Sequence, residues 1–113
     1  MLPSGMRVLV CTAPQDMRKS FDTLAAVVSS QLNEWPQSGT LYVFFGRGAR
    51  RVKVLWWDAN GYCLLAKRLH RALFEVPSSG EAQTVRLDGA ALGQLLRGVS
   101  KNVARRQLPA QLH

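Results

Sequence analysis

The chain has 113 residues, 47% of them hydrophobic, with fifteen Lys and Arg against seven Asp and Glu for a net charge of +8. That length fits one domain with a modest core rather than a core plus a large enclosed cavity, and the hydrophobic share excludes wholesale disorder. No run approaches the ~18 uninterrupted apolar residues of a membrane span, the opening Met1–Gly5 lacks the basic flank and apolar stretch of a signal peptide, and Cys11 and Cys63 make no disulfide framework, so a cytoplasmic chain with free thiols is expected.

Met6–Cys11 reads as a first strand broken by Pro14. Asp16 is placed to cap a long first helix, on which Met17, Phe21, Leu24, Ala25, Val28 and Leu32 share a stripe that ends at Trp35-Pro36. Leu41–Phe45 reads as a buried strand. Residues 46–51 are too basic to pack inside and form a turn, and Val52–Trp57 and Tyr62–Leu69 make the next hairpin around Asp58-Ala59-Asn60-Gly61. Phe74–Pro77 is expected to be a short edge strand stopped by its proline, and Thr84–Leu87 one more strand. Asp88 caps a short last helix carrying Ala91, Leu92, Leu95, Leu96 and Val99 on one face. The architecture expected is α+β: an antiparallel meander with a long N-terminal and a short C-terminal helix packed on a face, one domain over residues 1–99, then a basic flexible tail over 100–113.

Charge clusters in the meander. Between Thr40 and Arg71 stand Arg47, Arg50, Arg51, Lys53, Lys67, Arg68 and Arg71 against the single acid Asp58. A three-residue turn at Ala59–Gly61 would set Lys53 opposite Lys67, and a two-residue turn would set it opposite Arg68. Either juxtaposition of like charges is destabilising on its own, and an anion would relieve it, although both side chains could also splay into water. Phosphate suits such a surface, because Arg binds it bidentately and Lys as a point charge. Arg18 and Lys19 form a second patch at the start of the first helix, where cations oppose the helix dipole but free N–H groups favour an anion. Trp57 is the candidate to stack on an unpaired base or to anchor a partner, against the alternative that both Trp56 and Trp57 serve packing. Lys101, Arg105 and Arg106 would add affinity without specificity.

Two segments resemble a known family: Thr12-Ala13-Pro14-Gln15-Asp16-Met17-Arg18-Lys19-Ser20-Phe21-Asp22, and Arg50 through Leu64 followed by Lys67-Arg68-Leu69. The family is the small accessory protein (TnpB, Orf2-like) of bacterial IS66-type insertion sequences, and the likeness runs from about Met6 to Val99. It implies a role in transposition of a mobile genetic element beside a separate large transposase, and implies no defined chemistry. Ser20 stands where the family usually has Gly, and His70 where it often has an acid.

Catalysis is not expected. Strand transfer needs acids around metal ions, and Asp16, Asp22, Glu34, Asp58, Glu75, Glu81 and Asp88 show no spacing that signals a site. Cys11, Cys63, His70 and His113 lack close-spaced zinc-ligand pairs, and no phosphate loop occurs, so no cofactor is expected. The function expected is an accessory of DNA transposition that binds nucleic acid, DNA at the element ends, through the basic hairpin. The alternative is a protein–protein adaptor docking on the transposase. An RNA-binding regulator is a third reading.

Overall fold

The computed structural model describes residues 5–78 and 80–100. Nine elements follow one another: β1 (Val8–Cys11), α1 (Phe21–Ser30), β2 (Leu41–Phe45), β3 (Arg51–Asp58), β4 (Gly61–Arg68), β5 (Ala72–Leu73), β6 (Thr84–Leu87), α2 (Gly89–Arg97) and β7 (Val99–Ser100). Five strands form one sheet in the order β4-β3-β2-β1-β6, and β5 pairs with β7 in a separate ribbon. The fold is α+β with a mostly antiparallel sheet and two helices, as expected. The exception is the central pair: β1 and β2 run parallel, Val8 beside Leu41, because α1 connects them as a crossover.

The helices do not share a face. Alternation along the strands sorts side chains into two cores. Val8, Val10, Val43, Phe45, Val54 and Trp56 pack with Phe74 and with Leu92 and Leu95 of α2. Leu9, Cys11, Tyr42, Phe44 and Leu55 pack with Leu24, Ala25, Val27 and Val28 of α1. Every residue of β1 and β2 is therefore buried, which explains why these two strands read as continuous apolar runs.

Helix α1 has ten residues, not the long span expected. Asp16 is not its cap. Ser20 is, with its N–H donating to Thr23 Oγ1 at 2.8 Å. Met17 and Leu32 flank the helix and still pack into the α1-side core, so an apolar stripe was legible while the helix limits were not. Beyond the helix Asn33 takes φ 53°, and the Glu34 N–H reaches back to Val28 O.

Other expectations are corrected. Phe74–Pro77 is not a strand. The edge pairing falls on Ala72–Leu73, and Phe74 is buried with its ring 5.5 Å from Phe45. Asp88 does cap α2, accepting from the Ala91 N–H at 2.7 Å, but Val99 lies past the helix in β7. Gly98 (φ 74°, ψ 177°) ends α2 in a region only glycine occupies freely. Ser100, where the tail was expected to begin, pairs with Ala72; 101–113 lie outside the described residues.

Candidate nucleic-acid interface

The β3–β4 register differs from both expected registers. Asp58 pairs with Gly61, which places Lys53 opposite Ala66 and Val52 opposite Lys67. The two central turn residues are Ala59 and Asn60, and the left-handed residue is Ala59 (φ 53°), not Gly61. The like-charged pair is Arg51 opposite Arg68. Both are exposed, at the open end of the hairpin.

This end of the sheet also receives the Asp16–Lys19 segment. The Gln15 N–H donates to Phe45 O at 2.8 Å, tying the chain before α1 to the end of β2. Met17 then lies over Gly46, where an added Cβ would come within 2.8 Å of its Cγ. Two depressions meet there. One, of about 350 Å³, is lined by Met17, Arg51, Val52, Lys53, Ala66, Lys67 and Arg68. The other, of about 320 Å³, is lined by Gln15, Met17, Gly46, Arg47, Gly48, Arg50 and Arg51. Met17 and Arg51 belong to both. The result is a continuous basic groove with a pliable apolar floor.

The cations around it divide into two kinds. Lys53 donates to Lys19 O at 2.6 Å, and Lys67 to Leu96 O near the end of α2 at 2.7 Å. Lys19 donates to Gln15 Oε1 at 3.0 Å, and Gln15 is buried and donates on to Gln31 Oε1 at 3.2 Å. Arg18 is 91% exposed along its side chain but ion-paired with Asp16 at 2.6 Å. Hydrogen bonds from Arg18 hold the Asp16 carboxyl far below the usual carboxylate range. In contrast, the guanidinium groups of Arg47, Arg50, Arg51, Arg68 and Arg71 make no hydrogen bond or ion pair among the described residues. Arg71 is brought in by two backbone bonds, Leu69 N–H to Arg50 O (2.8 Å) and Phe74 N–H to Ala49 O (2.7 Å).

Trp57 is not part of this groove. It is six residues along β3 from Arg51, about 20 Å away at the usual strand rise, half-buried and edge-on to Tyr62 with centroids 5.0 Å apart. Trp56 is a core residue. Sequence reasoning missed Trp35, which is 69% exposed on the connection before β2. Its carbonyl is held by the Tyr42 hydroxyl at 3.1 Å and the Ser38 N–H at 3.0 Å. The neighbouring Glu34 carboxylate pairs with Arg7. It also missed Met17 and Gly46 as the groove floor, since nothing in one dimension brings them together.

Among the described residues no three His, Cys, Asp or Glu side chains converge on a possible metal position. Cys11 is buried, and burial pushes its thiol up from the ordinary value. No helix among the described residues is long and apolar enough to cross a membrane.

A family model described as "IS66 Orf2 like protein" matches residues 6–106. The chain is 43% identical over 101 residues to "Uncharacterized protein y4hO" of Sinorhizobium fredii (strain NBRC 101917 / NGR234), covering 88% of this chain and 87% of that one. It is 34% identical over 73 residues to "Uncharacterized protein y4jC" of the same organism, covering 65% of this chain and 62% of that one. No solved structure matches.

Proposed function

The chain belongs to the IS66 Orf2-like protein family, and from that premise we propose that it is an accessory of DNA transposition that grips nucleic-acid phosphates in the Met17–Arg51 groove and leaves strand transfer to the separate transposase. The observation that carries this reading is the set of five unpartnered guanidinium groups at one end of the sheet, with Arg51 and Arg68 directly opposed. Like charges across a ladder destabilise it by a few tenths to about 1 kcal/mol, and a phosphate bridging them reverses the sign of that interaction. Arg47, Arg50 and Arg71 are the next contacts, and Arg18 and Lys19 stand at the rim. Lys53 and Lys67 shape the groove more than they contact the ligand, because their ammonium groups already bind carbonyls. In the sequence Lys101, Arg105 and Arg106 follow Ser100 and would add affinity without specificity.

Fluorescence anisotropy on duplex carrying the element's terminal repeat, against a scrambled duplex and through a salt series, tests this. Affinity should fall steeply with salt, and the double variant Arg50→Ala/Arg51→Ala should flatten the log–log slope by about two units, one per lost phosphate contact. An unchanged slope would remove the groove from the interface.

A second reading is the adaptor. It is favoured by Trp35, an exposed indole on a loop whose backbone is held by hydrogen bonds, since a pre-ordered Trp is a good interface anchor. Capture of the transposase from nuclease-treated extract, lost on Trp35→Ala, would support it. Capture lost on nuclease treatment alone would make nucleic acid the bridge.

A further inference from the structure

Among the described residues, strand β4 is an edge of the five-stranded sheet, with β3 as its one neighbour. The backbone of Leu69 bonds to Arg50, and the register alternates from there, so Cys63, Leu65 and Lys67 turn their backbone groups toward β3. Tyr62, Leu64, Ala66 and Arg68 therefore turn theirs outward. No hydrogen bond among the described residues reaches those outward groups. Edges are normally blunted by brevity, by proline, by bulges or by charges. This one is eight residues long, pairs with β3 without interruption, lacks proline, and runs uncharged from Gly61 to Ala66. The opposite edge, β6, has only four residues and carries Arg86.

We infer that β4 is a self-association edge, on which a second copy of this chain adds its own β4 antiparallel to make one continuous sheet through a two-fold axis. The charge layout selects this occupant and this direction. Lys67 and Arg68 stand at one end of β4, while the other end leads into Asp58 and the Trp57–Tyr62 aromatic pair. Antiparallel pairing sets the basic end of each copy beside the acidic and aromatic end of the other, where guanidinium and ring attract. Parallel pairing would stack the arginines on one another. A two-fold interface uses the same patch twice, so each copy satisfies the other's outward N–H and C=O groups. Arg68 and Ala66 also border the groove, but the inference rests on the β4 backbone rather than on nucleic-acid binding, and sedimentation without nucleic acid reads it alone.

Sedimentation velocity of the full chain over a concentration series reads the state directly, and the expected result is a concentration-dependent monomer–dimer equilibrium. Ala66→Pro removes one outward N–H at an exposed edge position where proline is tolerated; it should leave the circular dichroism unchanged and shift the equilibrium to monomer by at least tenfold. Hydrogen exchange on the unsubstituted chain gives a second reading that needs no variant. The amides of Tyr62, Leu64, Ala66 and Arg68 should exchange more slowly as concentration rises. A chain that stays monomeric throughout, a dimer that survives Ala66→Pro with its native spectrum, or edge amides protected at every concentration (the sign of the chain's own C-terminal residues on the edge) would each overturn the inference.

Discussion

Lys53 and Arg51 lie two residues apart on the same face of β3 and carry the same charge, yet their surroundings give them different tasks. The Lys53 ammonium is bonded to Lys19 O and fastens the segment before α1 to the sheet, whereas Arg51 has no partner among the described residues. Lys53→Met should therefore lower stability by about 1–3 kcal/mol, the range for losing a charged hydrogen bond and stranding its carbonyl, while changing the salt slope of binding little. Arg51→Ala should do the reverse: stability near unchanged, slope lower by about one unit. Urea unfolding and anisotropy on the same two variants separate these outcomes. Tyr42 makes a pH prediction. It is fully buried, bonded to Ser38 and Trp35 and close to Glu34, and burial first, with the Glu34 charge adding to it, pushes its phenol up from the ordinary value. The unfolded chain then loses this proton before the folded one does. The tyrosine's contribution is complete below about pH 10 and is lost as pH rises through the higher folded value. Tyr42→Phe should flatten the fall of the urea midpoint above pH 10.

At the scale of elements, the β3–β4 hairpin carries a conflict between stability and binding. Arg51 opposite Arg68 is a poor pair for the ladder and a good pair for a phosphate. Arg68→Glu converts it to opposite charges and should raise stability by about 0.2–1 kcal/mol while weakening nucleic-acid binding more than loss of one contact would. A variant less stable than the parent would show that the two side chains do not meet. Helix α2 depends on its terminal glycine in a different way. At Gly98 a Cβ would lie 2.5 Å from Leu69 Cδ1 and 3.0 Å from Leu73 O, at a φ of 74°. Gly98→Ala meets backbone as well as side chain, and the expected loss is about 1–3 kcal/mol from conformation alone, read as a lower denaturation midpoint.

At the scale of the whole molecule, the fold separates two surfaces. The β2–β3 connection, the Asp16–Lys19 segment and Arg71 gather at the end where β2 finishes, and Trp35, Trp57 and Tyr62 lie toward the end where β2 begins. The net +8 charge makes the compact state repel itself, and much of that repulsion is concentrated at the basic end. Phosphate should therefore raise the melting temperature more than chloride at equal ionic strength, and Arg50→Ala/Arg51→Ala should shrink the difference. A difference that the double variant leaves intact would reflect general salting rather than a groove site.

Residue order alone is enough to read both helices, the five main strands to within about two residues at each end, the cap of α2 and the clustering of positive charge, because each is a local property of periodicity, capping chemistry or composition. It also carried the family, through two long motifs. It misplaced the start of α1, since Asp16 is a good capping residue in isolation, but Gln15 is tied to Phe45 and Asp16 to Arg18, which postpones the helix to Ser20. Both registers it offered for the hairpin miss the observed one, by one and by two residues, because Ala59 takes the left-handed conformation that local turn chemistry assigns to Gly61. The parallel pairing of β1 and β2, the placement of the helices on opposite faces, and the division of the described cations into those bound to carbonyls and those without a partner among the described residues come from three-dimensional packing. Those outcomes depend on contacts between residues distant in the chain, such as Lys53 with Lys19 and Lys67 with Leu96, and no local pattern of residue types encodes them.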